Sequence, residues 1–596
     1  MQPVVFEEEK FERRFDAGLW RGIIGLLRPH WAGYLLIIFT MALLGAVDVA
    51  MPLLTRRAID RGIVPGDTDE LFRAVVLYVL LIAAQAVLVA AFIALSGRIG
   101  ARVMEGLRRR LFAHLQRLSL SYFDRTPAGW ILSRLLSDCE RVGETLTWGG
   151  VDLFWSIAMM SVMAVTMVVV EWRLAVAALT LLPIIIVVSL KFQRPILQRA
   201  REARKLNSDI TARFSESVNG LRVIKSLSQE EPESRAFGQL ADAMFTASFR
   251  SAVLSSLYLP VIQLVGAAAS ALVVALGGSG VIAGSFTLGT LVAFVSFSRR
   301  FYIPAAEIAR VFGDLQQTQA AAERVFSLLS IKPEITDRPR AKPGPPITGL
   351  VEFRQVCFSY NGKDKILNRF SLKVRPGQMI ALVGPTGGGK TTVISLLARF
   401  YDPTAGAVLI DGIDIRNRPL QTLRSQLGVV LQNPHLFSGT IRDNIRYGRL
   451  DADEQEIAAA AALTGAHQFI TELPGGYDTE LQEGGAPLST GQKQLLALSR
   501  AVLARPALFI MDEATSAIDQ ETEHKIQQAI ETVLHGRTSF VVAHRLSTIR
   551  QADRILVIED GAIAESGTHD ELLQKKGRYY RLYTMNMLGL LSSDAA

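Results

Sequence analysis

Six runs of apolar residues punctuate the first half of the chain, at 31–54, 71–96, 151–170, 174–190, 253–276 and 288–308. A helix needs about 20 residues to cross a bilayer, so the pattern predicts six transmembrane helices. A shorter amphipathic stretch at 20–27 predicts a helix lying along the interface. The connections alternate in length and charge. The stretch 98–141 carries nine arginines and 191–250 carries eleven Lys and Arg, whereas 277–287 has no basic residue, 171–173 is tiny and 56–70 is mixed in sign. Positive residues stay on the cytoplasmic side, which places the long connections and both termini there. Helices continuing tens of ångströms past the membrane, at about 1.5 Å per residue, would account for the long connections. Each has an expected break: Pro127 and Gly129 within 123–138, and Gly220 within 216–226. Solvated helical hairpins are the plainer reading of both.

Strongly polar residues deep inside the runs are few: Asp48, Gln85, Gln263, Arg299 and Arg300. A membrane charge is costly and faces a polar interior, so Asp48 is a site candidate. The Arg299–Arg300 pair either lines a wet cavity or marks where the helix leaves the bilayer. Asp152, at a run's end, reads as interfacial. Met159, Met160, Met163 and Met167 recur with Trp155 along the third run. A soft lining for apolar ligands is one reading; packing or lipid-facing methionines are the favoured one.

After residue 331 the pattern becomes that of a soluble α/β domain. The expected organisation is a cytosolic segment with the interfacial helix (1–30), a helical membrane domain (31–330), a Pro- and charge-rich linker (331–348) and an ATPase domain (349–596). The apolar run 379–384 reads as a buried strand entering GPTGGGKT (384–391), with a helix behind it. That order makes a phosphate-binding loop. Gly384, Gly387, Gly388 and Gly389 let backbone amides converge on phosphate oxygens at a helix N-terminus. Lys390 would reach the β- and γ-phosphates and Thr391 would ligate Mg²⁺. The strand LFIMDE (508–513) ends in Asp512, expected in the Mg²⁺ shell, and Glu513, expected to polarise the attacking water. His544, at another strand end, is placed to contact the γ-phosphate.

The net charge of +8 does not point to nucleic acid, because the basic residues form no single stripe. Cys139 and Cys357 lie far apart and read as free thiols. The opening FEEEKFERRFD (6–16) has no basic-then-apolar pattern, so no cleaved signal peptide is expected.

Together, GPTGGGKT, LSTGQ (488–492), LFIMDEATSAID (508–519) and VVAHRLSTI (541–549) resemble the ATP-binding cassette transporters. More narrowly, the chain resembles a bacterial exporter half-transporter, multidrug- or lipid-exporter-like, over nearly its whole length. The resemblance implies a membrane α-helical domain of six transmembrane helices with long cytosolic extensions, fused to an α/β P-loop ATPase domain. It implies ATP and Mg²⁺ as cofactors, with Thr386 and Thr392 joining the phosphate loop and Tyr360 stacking on adenine. Gln432 would touch Mg²⁺ or the water. Ser489, Gly491 and Gln492 form the signature that clasps ATP held by the opposite subunit. Asp519 matches a loop that communicates across the dimer, and Glu483 an acid near the coupling segments 123–138 and 216–226. One P-loop and one signature per chain require two chains, since no internal repeat supplies a second copy.

Three positions depart from the family pattern. Gly388 stands for a common serine, Gln482 for a glycine, and Thr490 for the signature's glycine. The β-branched Thr490 stiffens and crowds that position, and such a substitution resembles one subunit of heterodimeric exporters, so the resemblance favours a heterodimer over a homodimer. The implied function is ATP-driven export of drugs, lipids or peptides across the bacterial cytoplasmic membrane by alternating access. A nucleotide-gated channel or regulatory membrane protein on the same frame is the alternative.

Overall fold

The computed structural model describes residues 17–339, 341–486, 488–512, 520–543 and 545–587. Within it the chain separates into two compact units. One comprises 1–116 and 127–331; the other comprises 117–126 together with 332–596.

The first unit is helical. Its long helices are Trp31–Arg57, Thr68–Leu115, Gly150–Leu179, Leu182–Asn219, Glu230–Ile282 and Leu288–Ser330. At about 1.5 Å per residue, the 53-residue helix Glu230–Ile282 spans roughly 80 Å, far beyond the ~30 Å of a bilayer core. The expected long extensions are therefore continuous helix. By length and composition, four stretches among the described residues suffice to cross a membrane: Arg28–Ile63, Thr68–Leu115, Ala128–Leu179 and Glu230–Ile282. The other two expected runs, 288–308 and 174–190, are each interrupted, the second by a break between helices. Arg299 and Arg300 interrupt one, and Lys191 follows soon after the other.

The turn expected at 171–173 shrinks to a single extended residue, Glu171, at φ −163° and ψ 100°. The run 174–190 is divided at Thr180–Leu181, just before the helix that carries Pro183 in its first turn. Proline is tolerated there because its missing N–H has no intrahelical partner to lose. Helix Thr68–Leu115 shows a greasy outer surface: Phe72, Val79, Leu80 and Val87 are all exposed. Such a surface suits lipid contact. Met159, Met163 and Met167 instead pack with Ala269, Phe294 and Phe297 in the unit's interior, one of the two roles, packing or lipid-facing, that the sequence favoured. The interfacial stretch is helical at Ala17–Gly25, with Ile23 and Leu27 buried.

The second unit is built on a six-stranded sheet. Its order is Ala562–Gly567, Arg554–Glu559, Met379–Val383, Thr538–Val542, Leu508–Asp512, Leu427–Val430. All neighbours are parallel except the first pair. Ile380 and Leu382 face one apolar core while Ala381 and Val383 face another. Burial on both faces explains why the strand before the P-loop reads as an unbroken apolar run. A four-stranded antiparallel sheet, Leu367–Val374, Val351–Phe358, Ala405–Ile410, Ile413–Asp414, completes the nucleotide side.

The Pro- and charge-rich stretch after residue 331 is tied down along its length. Fully buried Arg399 and Arg418 donate to the carbonyls of Thr336 and Pro345. Asp337 accepts from the Leu420 amide and Gln426 from the Ile347 amide.

Candidate ATP site

Parallel strands end together, and ligands bind outside their carboxyl ends. Here Val542 pairs in register with Leu382 on one side and Asp512 on the other. The P-loop leaving Val383, the carboxylate of Asp512 and the segment after Val430 are thereby gathered at one edge of the sheet.

The loop is shaped by glycine where a side chain would not fit. Gly389, the residue before helix Lys390–Leu397, has φ +103°, a conformation L-residues avoid. A Cβ on Gly388 would lie 2.9 Å from the Ile558 carbonyl oxygen and 3.1 Å from that of Pro385. The missing serine at 388 therefore accompanies a backbone approach that leaves no room for one. Thr386 and Gly387 are exposed at the loop's tip, and Thr392 is buried behind it.

Lys390 is buried, and its ammonium donates to the carbonyls of Gly384 and Pro385 at 2.8 Å each. Burial holds its pKa below the ordinary lysine value, partly countered by the Asp512 charge. Thr391 Oγ1 lies 3.5 Å from Asp512 Oδ2. A hydroxyl and a carboxylate converging this way form a hard-oxygen pair, which fits Mg²⁺. Gln432 is exposed just beyond strand Leu427–Val430. Tyr360 is half exposed, as a stacking platform must be, and its hydroxyl lies 3.2 Å from Thr392 Oγ1.

The signature opens helix Thr490–Leu503. Ser489 is its N-cap: Oγ accepts from the Gln492 amide at 3.2 Å while Gln492 Oε1 accepts from the Ser489 amide at 3.0 Å. This reciprocal capping box holds Ser489 rigidly at a helix N-terminus, where anions are favoured. Gly491 is buried, whereas Thr490 stands exposed in the first turn. Glu483 and Gln482 are exposed on the preceding turn. Glu513, Asp519 and His544 lie outside the described residues.

In the helical unit, three polar residues singled out in the sequence find one another. Asp48 Oδ1 accepts from Arg300 Nη1 at 2.9 Å and from Gln85 Nε2 at 3.2 Å. Arg299 is exposed, and Asp152 sits half-buried in the first turn of its helix. Sequence reasoning missed Tyr401, whose buried phenol donates to Asp124 and whose ring packs edge-on against Tyr360. Nothing periodic or motif-like marks that pairing. Both cysteines are free thiols.

Residues 34–304 match the ABC transporter transmembrane region and residues 367–516 match the ABC transporter family. An ATP-dependent lipid A-core flippase of Desulfotalea psychrophila is 36% identical over 557 residues, covering 94% of this chain and 97% of the relative. A putative multidrug export ATP-binding/permease protein of Bacillus subtilis is 36% identical, covering 92% and 97%. A fatty acid ABC transporter ATP-binding/permease protein of Mycobacterium bovis is 39% identical, covering 81% and 76%.

Proposed function

The chain belongs to the ABC transporter family, a half-transporter joining membrane region and ATPase, and we propose that it exports lipids or amphipathic drugs by alternating access as a dimer. It is a multi-pass membrane protein whose ATPase is coupled to transport. The observation that carries the reading is the convergence of Lys390, Thr391 and Asp512 at the strand ends of a chain whose other unit is a bundle of long apolar helices.

Tyr360 stacks the adenine, the P-loop amides surround the phosphates, and Lys390 turns from its loop carbonyls to the β- and γ-phosphates. Thr391, Asp512 and Gln432 would hold Mg²⁺, which when bound neutralises charge building on the phosphate oxygens. Glu513 orients and polarises the attacking water, and His544 contacts the γ-phosphate. Ser489, Gly491 and Gln492 serve the ATP of the opposite subunit, so two chains complete each site. Thr490 in the signature favours a heterodimer. ATP drives closure only by binding the closed dimer better than the open one. The names of the relatives support lipids and drugs as substrates. The bacterial cytoplasmic membrane, with the ATPase and both termini cytosolic, is the proposed location.

The test is Glu513→Gln in the reconstituted protein. Most turnover should disappear while ATP binding persists; near-normal hydrolysis would sink the assignment of Glu513.

A further inference from the structure

The segment Arg117–Thr126 packs as part of the ATPase unit, although helical-unit sequence flanks it on both sides. Its helix, Leu120–Arg125, makes polar contacts at both ends. Ser121 Oγ donates to Glu334, and the Ile335 amide donates to Ser119 Oγ at 3.0 Å. At the other end, Arg125 donates to the backbone carbonyl of Tyr360, and Asp124 accepts from the phenol of Tyr401.

Tyr401 is buried, so that hydrogen bond is the natural outlet for its hydroxyl. Its ring meets the Tyr360 ring edge-on, with centroids 5.0 Å apart and planes at 89°. Phe358 meets Tyr360 in the same way at 4.8 Å and 86°. The Tyr360 ring is thus boxed by two perpendicular aromatics, its hydroxyl tied to Thr392 and its carbonyl to Arg125. Edge-to-face contacts fix ring tilt because a positive ring edge seeks a negative face. A half-exposed platform owes its tilt to such neighbours.

We propose that Asp124 and Tyr401 are positioning residues for the nucleobase: Asp124 fixes the Tyr401 phenol, and the Tyr401 ring fixes the tilt of Tyr360. This rests on the reading of Tyr360 as the base-stacking residue. Displacing the segment Arg117–Thr126 then changes affinity for the base, while the phosphate chemistry at Lys390 and Asp512 is left intact. Burial raises the Tyr401 pKa, and the Asp124 charge raises it further, so the phenol remains a donor.

The experiment uses the full chain in liposomes and compares Tyr401→Phe, Asp124→Asn, Asp124→Glu and Tyr360→Ala. ATP kinetics are measured beside inhibition by inorganic triphosphate, which has no base. Tyr401→Phe and Asp124→Asn should each raise KM for ATP about five- to tenfold, the scale of one ordinary net hydrogen bond, since only part of the lost bond is felt at the base. Their kcat should stay within about twofold, because only binding common to ground and transition states is lost. Triphosphate inhibition should not change, Asp124→Glu should restore KM, and the double variant should be no worse than either single. Equal losses in kcat and in triphosphate binding would reduce both residues to structural ones and overturn the proposal. So would an unchanged KM in both singles while Tyr360→Ala raises it. If Tyr360→Ala itself leaves KM unchanged, the base-stacking reading falls, and the inference with it.

Discussion

Both units set a carboxylate near a buried or half-buried cation, and they do opposite things with it. In the helical unit, Asp48 and Arg300 bond directly at 2.9 Å with Gln85 as a second donor. Charge inside a membrane domain is tolerated when it is answered on the spot. In the ATPase unit, Lys390 leans on neutral carbonyls, and Asp512 faces the Thr391 hydroxyl. Lys390 donates to neutral carbonyls, with the Asp512 charge acting on it from a distance, so its ammonium can exchange those carbonyls for an incoming phosphate. One cation is paired directly with its carboxylate; the other is bonded to carbonyls, with its carboxylate facing a hydroxyl. Proximity of opposite charges is therefore a poor guide to a site unless their mutual pairing is known.

The sharpest way to break this contrast is Lys390→Ala. It should lower kcat about a hundredfold or more, the scale of losing one preorganised charge at the phosphates, while thermal unfolding stays near that of the unaltered protein. A small change in ATPase rate would remove the claim that this charge is reserved for ligand. Arg300→Gln or Asp48→Asn should do the reverse, costing about 2 kcal/mol in thermal unfolding, less than a fully buried pair because Arg300 remains partly exposed. The double variant should recover most of that loss. Singles that unfold normally but respond differently to lipid substrates would recast the pair as part of the transport path. Thr490→Gly should raise ATPase activity severalfold if Thr490 is the only defect in the site it helps build; no change locates a second lesion in the partner. The smallest effect on stability is expected from Ser489→Ala, about 1 kcal/mol from the lost cap. A double variant with Gln492→Ala should add little, since each residue caps through the other.

The ATP site was legible because its chemistry is local. A phosphate loop needs glycines and a lysine in consecutive positions, and Asp512, 121 positions from Thr391, is marked by a separate acidic strand end. The apolar runs were legible for the same reason, since a helix crossing lipid satisfies its own backbone. What escaped were pairings without a period. Asp48 and Arg300 are 252 positions apart, and Asp124 and Tyr401 are 277 apart. No local pattern encodes such partners. The break at Thr180–Leu181 is an intermediate case: Pro183 announces it, but apolar composition alone reads straight through. The tie-down of the linker was hidden for a different reason. Arginines buried as fully as Arg399 and Arg418 are exceptions among a residue type that normally marks the surface.

The loan of residues 117–126 to the ATPase unit also bears on how the protein is made. That unit is discontinuous in sequence, and its first piece leaves the ribosome about two hundred residues before the rest. At roughly 5–20 residues per second, the piece waits ten seconds or more for its partners. Until then the Asp124 carboxylate has no Tyr401 phenol to accept from. An ATPase fragment begun at Lys332 would carry that defect permanently. Synthesis from the N-terminus thus lays down the sequence of the helical unit before the ATPase unit has all of its pieces.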